Sequence, residues 1–437
     1  MPERRTLALG DLARVEGEGA LHLVVEGDRI VDLRLEIFEP PRLFEAFLRG
    51  RSAAELPDLM ARICGLCPAA YQMSAVHAIE EAYGVEIHPG TRALRRLYYA
   101  GEWIESHLLH MLFLAAPDFL RLDDAFELAR SHRAEVERGM KLRGLGNRIM
   151  SLLGGRPVNP VGVCIGGFAR TPAPSELEAL ADELRRARGE AEALLRWFAS
   201  LPVPERPQAD LELVSLRHPG EYPMNEGRLV SSLGLDAEPA SFEDHFEESQ
   251  VPHSTALQAR LRDRGAYLVG PLARVTLNAD RLAPVARAAL DSLAPRLPAP
   301  DPAASVFARG VEVIQAIDDA VSALDTLEAP PGPAAWSPRA GRGHGATEAP
   351  RGLLYVRVET DAAGDVVELK IVPPTAQNQA RIERDLRALV PEILTLSEDE
   401  ARRRCEMVIR DYDPCISCAT HFLKLSIERR GAAGAGR

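Results

Sequence analysis

At 437 residues the chain is long enough to bury a large core or to divide into two or three domains, and its hydrophobic (46%) and charged (27%) fractions exclude a disordered or fibrous protein. A net charge of −12, with basic residues interspersed among acids, leaves no footprint for a phosphate backbone and argues against nucleic acid as a partner. The most apolar run, around 108–116, is interrupted by His110 and is too short to cross a bilayer as a helix.

Along the chain, Arg4 and Arg5 are followed by Gly10, Asp11 and Arg14 before any apolar stretch develops, so the start does not read as an export signal and a cytoplasmic location is expected. Residues 13–38 alternate apolar and polar side chains about a turn at Gly27 and Asp28, which predicts a β-hairpin. Helical spacing follows over 42–49, 68–83 and 91–114, and a more acidic stretch holds Asp123, Asp124 and Glu127. The text LGGRPVNPVGVCIGGFARTP at 153–172 breaks the pattern and reads as an ordered loop before a long amphipathic helix at about 174–199. Short strands and turns are expected from 202 to about 280, then helices at 282–295 and 304–327. Residues 328–350 are the most linker-like in the chain, yet they lead into strands LLYVRVET and DVVELKIV, which should form a hairpin. Helices at about 376–390 and 398–410 precede the last motif. The expected fold class is α+β, predominantly helical, with small peripheral β-sheets.

Six cysteines are too few for a disulfide scaffold, and four of them form two CxxC pairs, Cys64 with Cys67 in RICGLCP and Cys415 with Cys418 in DPCISCATH. A zinc ribbon brings its pairs together across roughly 15–20 residues, whereas these pairs stand at opposite ends of the chain and can meet only inside a large folded body. Four thiolates so placed suit zinc, an iron-sulfur cluster, or nickel with iron, and each pair alone could be a redox dithiol. Spacing does not choose among them. Cys164 and Cys405 stand apart and are expected to be buried apolar thiols.

The flanking text is more specific. RICGLCPAAYQMSAVHAIE, DPCISCATH, RVEG at 14–17, ESHLLHMLFLAAPDF at 105–119, VNPVGVCIGGF at 158–168 and APRG at 349–352 occur in an order that resembles nickel-iron hydrogenase large subunits over almost the whole chain. AAPDF, AYQMSAVHA and VGVCIGGF look most like the cytoplasmic NAD(P)-linked group, which includes bidirectional and sulfhydrogenase alpha subunits. The resemblance implies that fold, with 1–421 as a single large catalytic domain and 422–437 as a propeptide removed after His421. It further implies reversible cleavage of dihydrogen to protons and electrons.

By the same resemblance, all four cysteines ligate nickel, Cys64 and Cys415 terminally, while Cys67 and Cys418 bridge to an iron carrying carbonyl and cyanide ligands. Cys415 and Glu16 would handle the proton, a task for which a buried carboxylate is suited because burial brings its pKa toward that of a thiol. Pro350 and Arg351 would line the centre, with Asp413 holding the arginine, whose permanent charge can polarise hydrogen. Glu45 and His421 match ligands of a magnesium ion. Two positions depart from the usual pattern. Ser106 stands where many relatives have aspartate, and Tyr71 where many have the histidine of CGxCxxxH. His107 and His110 could approach the centre as hydrogen-bond donors, although packed helix histidines are the ordinary case.

The chain holds no second set of cysteines for iron-sulfur clusters and no GxGxxG fingerprint, so electrons must leave through another subunit. The family implies a small iron-sulfur subunit, flavin-containing diaphorase subunits, a maturation protease and metal chaperones. The rivals are a respiratory-complex-like homologue that has lost nickel, which usually lacks one or more of the cysteines, and a zinc-stabilised scaffold.

Overall fold

The alternation at 13–38 forms the paired strands β2 (Gly19–Glu26) and β3 (Arg29–Ile37), and β1 (Arg4–Leu9), upstream of that pattern, adds a third antiparallel strand beside β2. Leu21, Leu23 and Val25 of β2 and Leu33, Leu35 and Ile37 of β3 are buried, so the period of two lays one face of the sheet on the core. The structure, a computed structural model, describes residues 4–9, 12–26, 29–40, 42–204, 210–294, 296–297, 301–328 and 332–420. The turn at Gly27 and Asp28, His421, and the segment 422–437 lie outside these residues.

The helical body follows. The pattern at 42–49 condenses to one turn, Phe44–Phe47. Helix α1 (Pro68–Tyr83) starts directly at Cys67 with proline in its first turn, and ends at Gly84, whose φ of 62° suits the left-handed position that glycine adopts without cost. Helix α2 (Pro89–Leu109) runs on into a π-helical turn, His110–Ala115. Helix α3 (Arg133–Gly154), not expected from the sequence, packs antiparallel partners with α2 and α4 (Pro174–Ser200). The loop at 153–172 folds back on itself through two short paired strands, Val163–Cys164 and Gly167–Phe168. Helix α5 (Ser305–Asp325) lies against α2 and α4, and its buried residues run almost unbroken from Ser305 to Ile317, as a helix enclosed on all sides requires.

One expectation fails in an informative way. The linker-like stretch 328–350 ends in a nine-residue strand, β4 (Gly341–Ala349), paired antiparallel with β5 (Gly352–Thr360), which in turn pairs with β6 (Val366–Val372). The glycines of GRGHG are there for contact. A Cβ on Gly343 would sit 1.9 Å from Ala78 O, and one on Gly345 2.0 Å from Ser74 O, so only glycine lets the strand lie directly on α1. Trp336 stacks on Tyr83 at 5.8 Å and holds the entry to that strand. The close packing delivers Pro350 and Arg351, at the end of β4, beside the N-terminus of α1. Helices α6 (Pro374–Ile393) and α7 (Glu398–Asp411) then lead to the second cysteine pair.

Candidate metal centre

The two cysteine loops meet although 64 and 415 lie almost a chain apart. Cys64 Sγ is 2.7 Å from Cys67 Sγ and 3.6 Å from Cys415 Sγ, while Cys418 Sγ is 2.7 Å from Cys415 Sγ and 3.7 Å from Cys67 Sγ. All four sulfurs lie within 4.8 Å of one another, and all four residues are buried. Three contacts hold the loops in register. Arg42 donates from Nη2 to both Ile63 O and Ser417 O, one from each loop. Thr375 Oγ1, at the start of α6, accepts from Cys415 N at 2.9 Å. The carboxylate of Glu102 on α2 caps the start of α1, accepting from Ala69 N at 2.6 Å and Ala70 N at 3.2 Å. None of these residues stands in a motif with the cysteines, so no local signal in the sequence marks them.

The protein alone does not keep this cage as four thiolates. Burial pushes the Cys67, Cys415 and Cys418 thiols above their ordinary range. Burial acts on Cys64 too, but its sulfur accepts from the other three and it falls well below. A cation bound among the sulfurs supplies the charge that full deprotonation needs, and soft sulfur suits late transition metals, so the donor set fits nickel with iron.

Above the sulfurs lies a buried arginine with its own anchor. Arg351 donates from Nε to Asp413 O (2.9 Å), from Nη2 to Asp413 Oδ1 (3.1 Å) and from Nη1 to Ser106 Oγ (3.4 Å). The serine that departs from the usual pattern therefore takes one arginine donor. Burial would raise the Asp413 carboxyl, but the Arg351 guanidinium, with help from Arg309, holds it below the ordinary carboxylate range. Asp413 itself has a φ of 51°, a left-handed conformation costly for a non-glycine residue. Tyr71 takes the other atypical position, its ring buried and its hydroxyl without a hydrogen-bond partner among the described residues.

Behind Arg351 runs a wholly buried chain of charged and hydrogen-bonded side chains that the sequence did not disclose. Arg309 Nη1 lies 3.2 Å from Asp413 Oδ2 and donates to His107 Nδ1 at 3.2 Å, and His107 Nε2 lies 2.9 Å from Glu312 Oε2. Glu312 is held at both oxygens by Arg274, at 2.7 Å each, and Arg274 also reaches Glu348 Oε2 (3.0 Å) and Pro350 O (3.1 Å). Burial lowers His107 to about 4 and His110 to about 3, so both are neutral imidazoles at neutral pH, and neither touches the sulfurs through a hydrogen bond in this arrangement. His110 Nε2 pairs with Arg410 O at 2.8 Å instead.

The remaining expected residues occupy distinct places. Glu16 forms a bridge with Cys415 along the backbone, accepting from Ile416 N through its carbonyl (2.9 Å) and from Ser417 N through Oε2 (3.1 Å). Glu45 is buried and accepts from Ile371 N at 2.7 Å. Its neighbour Arg42 donates its backbone N–H to Thr420 O at 2.6 Å, which brings the residue before His421 to the same turn. Cys405 is buried, and burial raises its thiol to about 12, whereas Cys164, expected to be buried as well, is partly exposed at the end of its short strand.

Residues 42–143 match the family model described as nickel-dependent hydrogenase. The chain is 31% identical to sulfhydrogenase 1 subunit alpha of Pyrococcus furiosus, over 96% of this chain and 98% of that one. It is 25% identical to the NAD-reducing hydrogenase HoxS subunit beta of Cupriavidus necator, over 96% and 95%. A solved structure of an NAD+-reducing [NiFe]-hydrogenase in the H2-reduced state superposes with a TM-score of 0.85 at 26% identity, covering 96% of this chain and all of that one.

Proposed function

The chain belongs to the nickel-dependent hydrogenase family, and on that premise we propose that it is the catalytic large subunit of a nickel-iron hydrogenase, in which Cys64, Cys67, Cys415 and Cys418 hold the metals. The observation that carries this reading is the convergence of four buried sulfurs from the two ends of the chain beneath a buried arginine. Cys67 faces Cys418 and Cys64 faces Cys415 across the two loops, and the four sulfurs together would hold nickel and iron. When bound, the nickel-iron centre, with carbonyl and cyanide on iron, supplies the Lewis acidity and redox capacity that dihydrogen cleavage needs. The protein's part is to shape and dry the pocket, to hold a positive charge over it, and to move the proton. Arg351 carries that charge, fixed by Asp413 and Ser106 so that its guanidinium needs no reorganisation during turnover. Cys415 receives the proton, and Glu16, bound to the same loop, takes it away.

The proton assignment is tested by Glu16→Gln. An amide keeps the bond to Ser417 N but carries no proton, so hydrogen–deuterium exchange should slow by about 10²–10⁴-fold while nickel and iron contents stay at the parent level. Exchange at the parent rate would move the proton path elsewhere.

Electrons leave this chain for a partner, since no other cluster of cysteines occurs among the described residues. A small iron-sulfur subunit docking at the first cysteine loop is supported by that loop's surface. Gly65 is exposed there, and Val158, which lies next to it, exposes 52% of its surface. The name of one relative, an NAD-reducing hydrogenase, supports NAD(P) as the eventual acceptor, and flavin-containing diaphorase subunits are assigned to carry the electrons to it. Among the described residues no helix is long and apolar enough to cross a membrane, in keeping with a cytoplasmic enzyme. Magnesium at Glu45 and His421 is supported by the hydrogen bond that ties Thr420 to Arg42, three residues before Glu45.

The segment 422–437 is assigned as a propeptide that a maturation protease removes once metal chaperones have loaded nickel, with residues 1–421 remaining as the catalytic domain. Intact mass should then show nickel-loaded chain ending at His421 and metal-free chain ending at Arg437. Fully active chain that retains Phe422 would contradict proteolytic maturation.

A further inference from the structure

Arg351 is held at two points, and the two holds are joined behind it. Its guanidinium meets Asp413 Oδ1 at 3.1 Å, and the other oxygen of that carboxylate lies 3.2 Å from Arg309 Nη1. Its main chain follows Pro350, whose carbonyl accepts from Arg274 Nη2 at 3.1 Å, while Ala349 O accepts from Arg274 Nη1 at 2.8 Å. Glu312 and His107 connect the two outer arginines. Glu312 accepts twice from Arg274 and lies 2.9 Å from His107 Nε2, and His107 Nδ1 lies 3.2 Å from Arg309 Nη1. The contacts close a ring that leaves from the Arg351 side chain and returns to its main chain.

The helices set this ring up. Arg309 and Glu312 stand one turn apart on α5, and His107 adjoins Ser106 on α2, the residue that accepts from Arg351 Nη1. Arg274 lies in the short helix Pro271–Leu277, and a Cβ on Gly270, just before it, would fall 2.9 Å from Arg351 O, so that helix is pressed against the main chain of the arginine itself. Trp103, one turn before His107, supports two links, with the imidazole 5.7 Å from its ring and the Arg274 guanidinium 4.4 Å over it. Every side chain of the ring is buried, so no water competes for these contacts.

His107 is the neutral link among charged ones. An arginine only donates, so Nδ1 accepts from Arg309, and the single proton of the neutral imidazole stands on Nε2, facing the Glu312 carboxylate. Removing any other side chain of the ring would leave a buried charge without its partner. A change at 107 leaves every charge in place and opens only the connection.

We propose that His107 is a positioning residue for Arg351: by joining Arg309 to Glu312 it locks Asp413 and Pro350 into one arrangement, and so fixes where the guanidinium lies over the four sulfurs. The proposal rests on the reading of Arg351 given above. Without the link, Arg309 is free to pull Asp413 away from Arg351, and Arg274 holds Pro350 independently of the carboxylate. His107 transfers no proton in this role and makes no hydrogen bond to a cysteine sulfur.

The test compares His107→Met, which fills the space without either nitrogen, with His107→Gln, whose amide again offers one acceptor and one donor. Turnover and KM for hydrogen, the infrared band of the iron carbonyl, metal content and a crystal structure are taken for each variant and the parent. His107→Met should slow turnover by at least about tenfold at unchanged KM and unchanged nickel and iron, with a broadened or split carbonyl band and Arg351 displaced from Asp413 Oδ1. His107→Gln should stay within a few-fold of the parent, with a single band and Arg351 in place. Parent turnover with Arg351 unmoved in His107→Met would overturn the proposal, and so would an equal loss in both variants. If the methionine variant does not accumulate as folded chain, His107→Leu carries the same expectation. Failure of both to fold would make His107 a residue of stability alone and overturn the proposal too. A parent without nickel would remove the hydrogenase reading, while the place of Arg351 in the variant crystal structures would still decide the ring.

Discussion

Replacing Cys418 by alanine, or Cys64 by serine, is expected to abolish hydrogen-dependent dye reduction, a fall of at least about a thousandfold, equivalent to about 4 kcal/mol of barrier. The reason lies in the cage. Each sulfur lies within 3.7 Å of a sulfur from the opposite loop, and all four residues are buried. Among the described residues, no other cysteine sulfur belongs to the cluster, so a deleted sulfur has no substitute. Serine at 64 would place a hard oxygen where a soft thiolate is required. The chain should still fold, because the loops are also held by Arg42, Thr375 and Glu102, none of which depends on the metal. Circular dichroism should therefore match the parent while nickel content collapses. Activity retained with full nickel would show that the substituted cysteine is not a ligand.

The second large effect is expected at Arg351. Lysine there keeps the charge but not the geometry, since one ammonium cannot serve Asp413 O, Asp413 Oδ1 and Ser106 Oγ together as the guanidinium does. Removing one preorganised donor of this kind costs about 10²–10³-fold in turnover. Arg351→Lys should lose activity to that extent, with nickel and iron unchanged, because the arginine contacts no cysteine sulfur through a hydrogen bond in this structure. A variant within a few-fold of the parent would mean that charge alone suffices, and a variant that loses metal would make Arg351 part of the cage. Asp413→Asn serves as the companion. It removes the carboxylate that both Arg351 and Arg309 face, and would leave two buried guanidinium groups without their shared counter-charge.

The parts of the fold that were legible in the sequence are those with strong local patterns. Helix α1 begins and ends where its proline and glycine say it should, and α4, α5, α6 and α7 fall within a few residues of their apolar periods. Two of the failures, α3 and β4, share one physical cause, glycine used for contact and not for flexibility. Gly139 and Gly146 lower the helical signal of α3, yet a Cβ on Gly146 would meet Gly101 O at 2.6 Å, so the residue that weakens the pattern is the one that lets α2 and α3 approach. The same holds for GRGHG in β4, where alternate glycines resemble a linker and in fact lie on α1.

For the site, the four cysteines stand out by their CxxC spacing, whereas Glu16, Arg351 and Asp413 stand out only through the family resemblance of the motifs that hold them. Arg42, Glu102, Thr375 and the chain Arg309–His107–Glu312–Arg274 could not, because each acts through a partner tens to hundreds of residues away, and nothing in a single sequence links Glu102 to Ala69 or Arg309 to Asp413. His107 and Glu312 look like ordinary residues of buried helices until their neighbours are known.

Counting metals tests the central claim most directly. Chain purified without oxygen from nickel-supplied cells, and the Cys418→Ala variant beside it, should be analysed for nickel, iron and zinc per polypeptide. The account predicts nickel and iron near one each in the parent, and nickel lost in the variant. Zinc alone in the parent, or a fully folded parent with no metal, would contradict it.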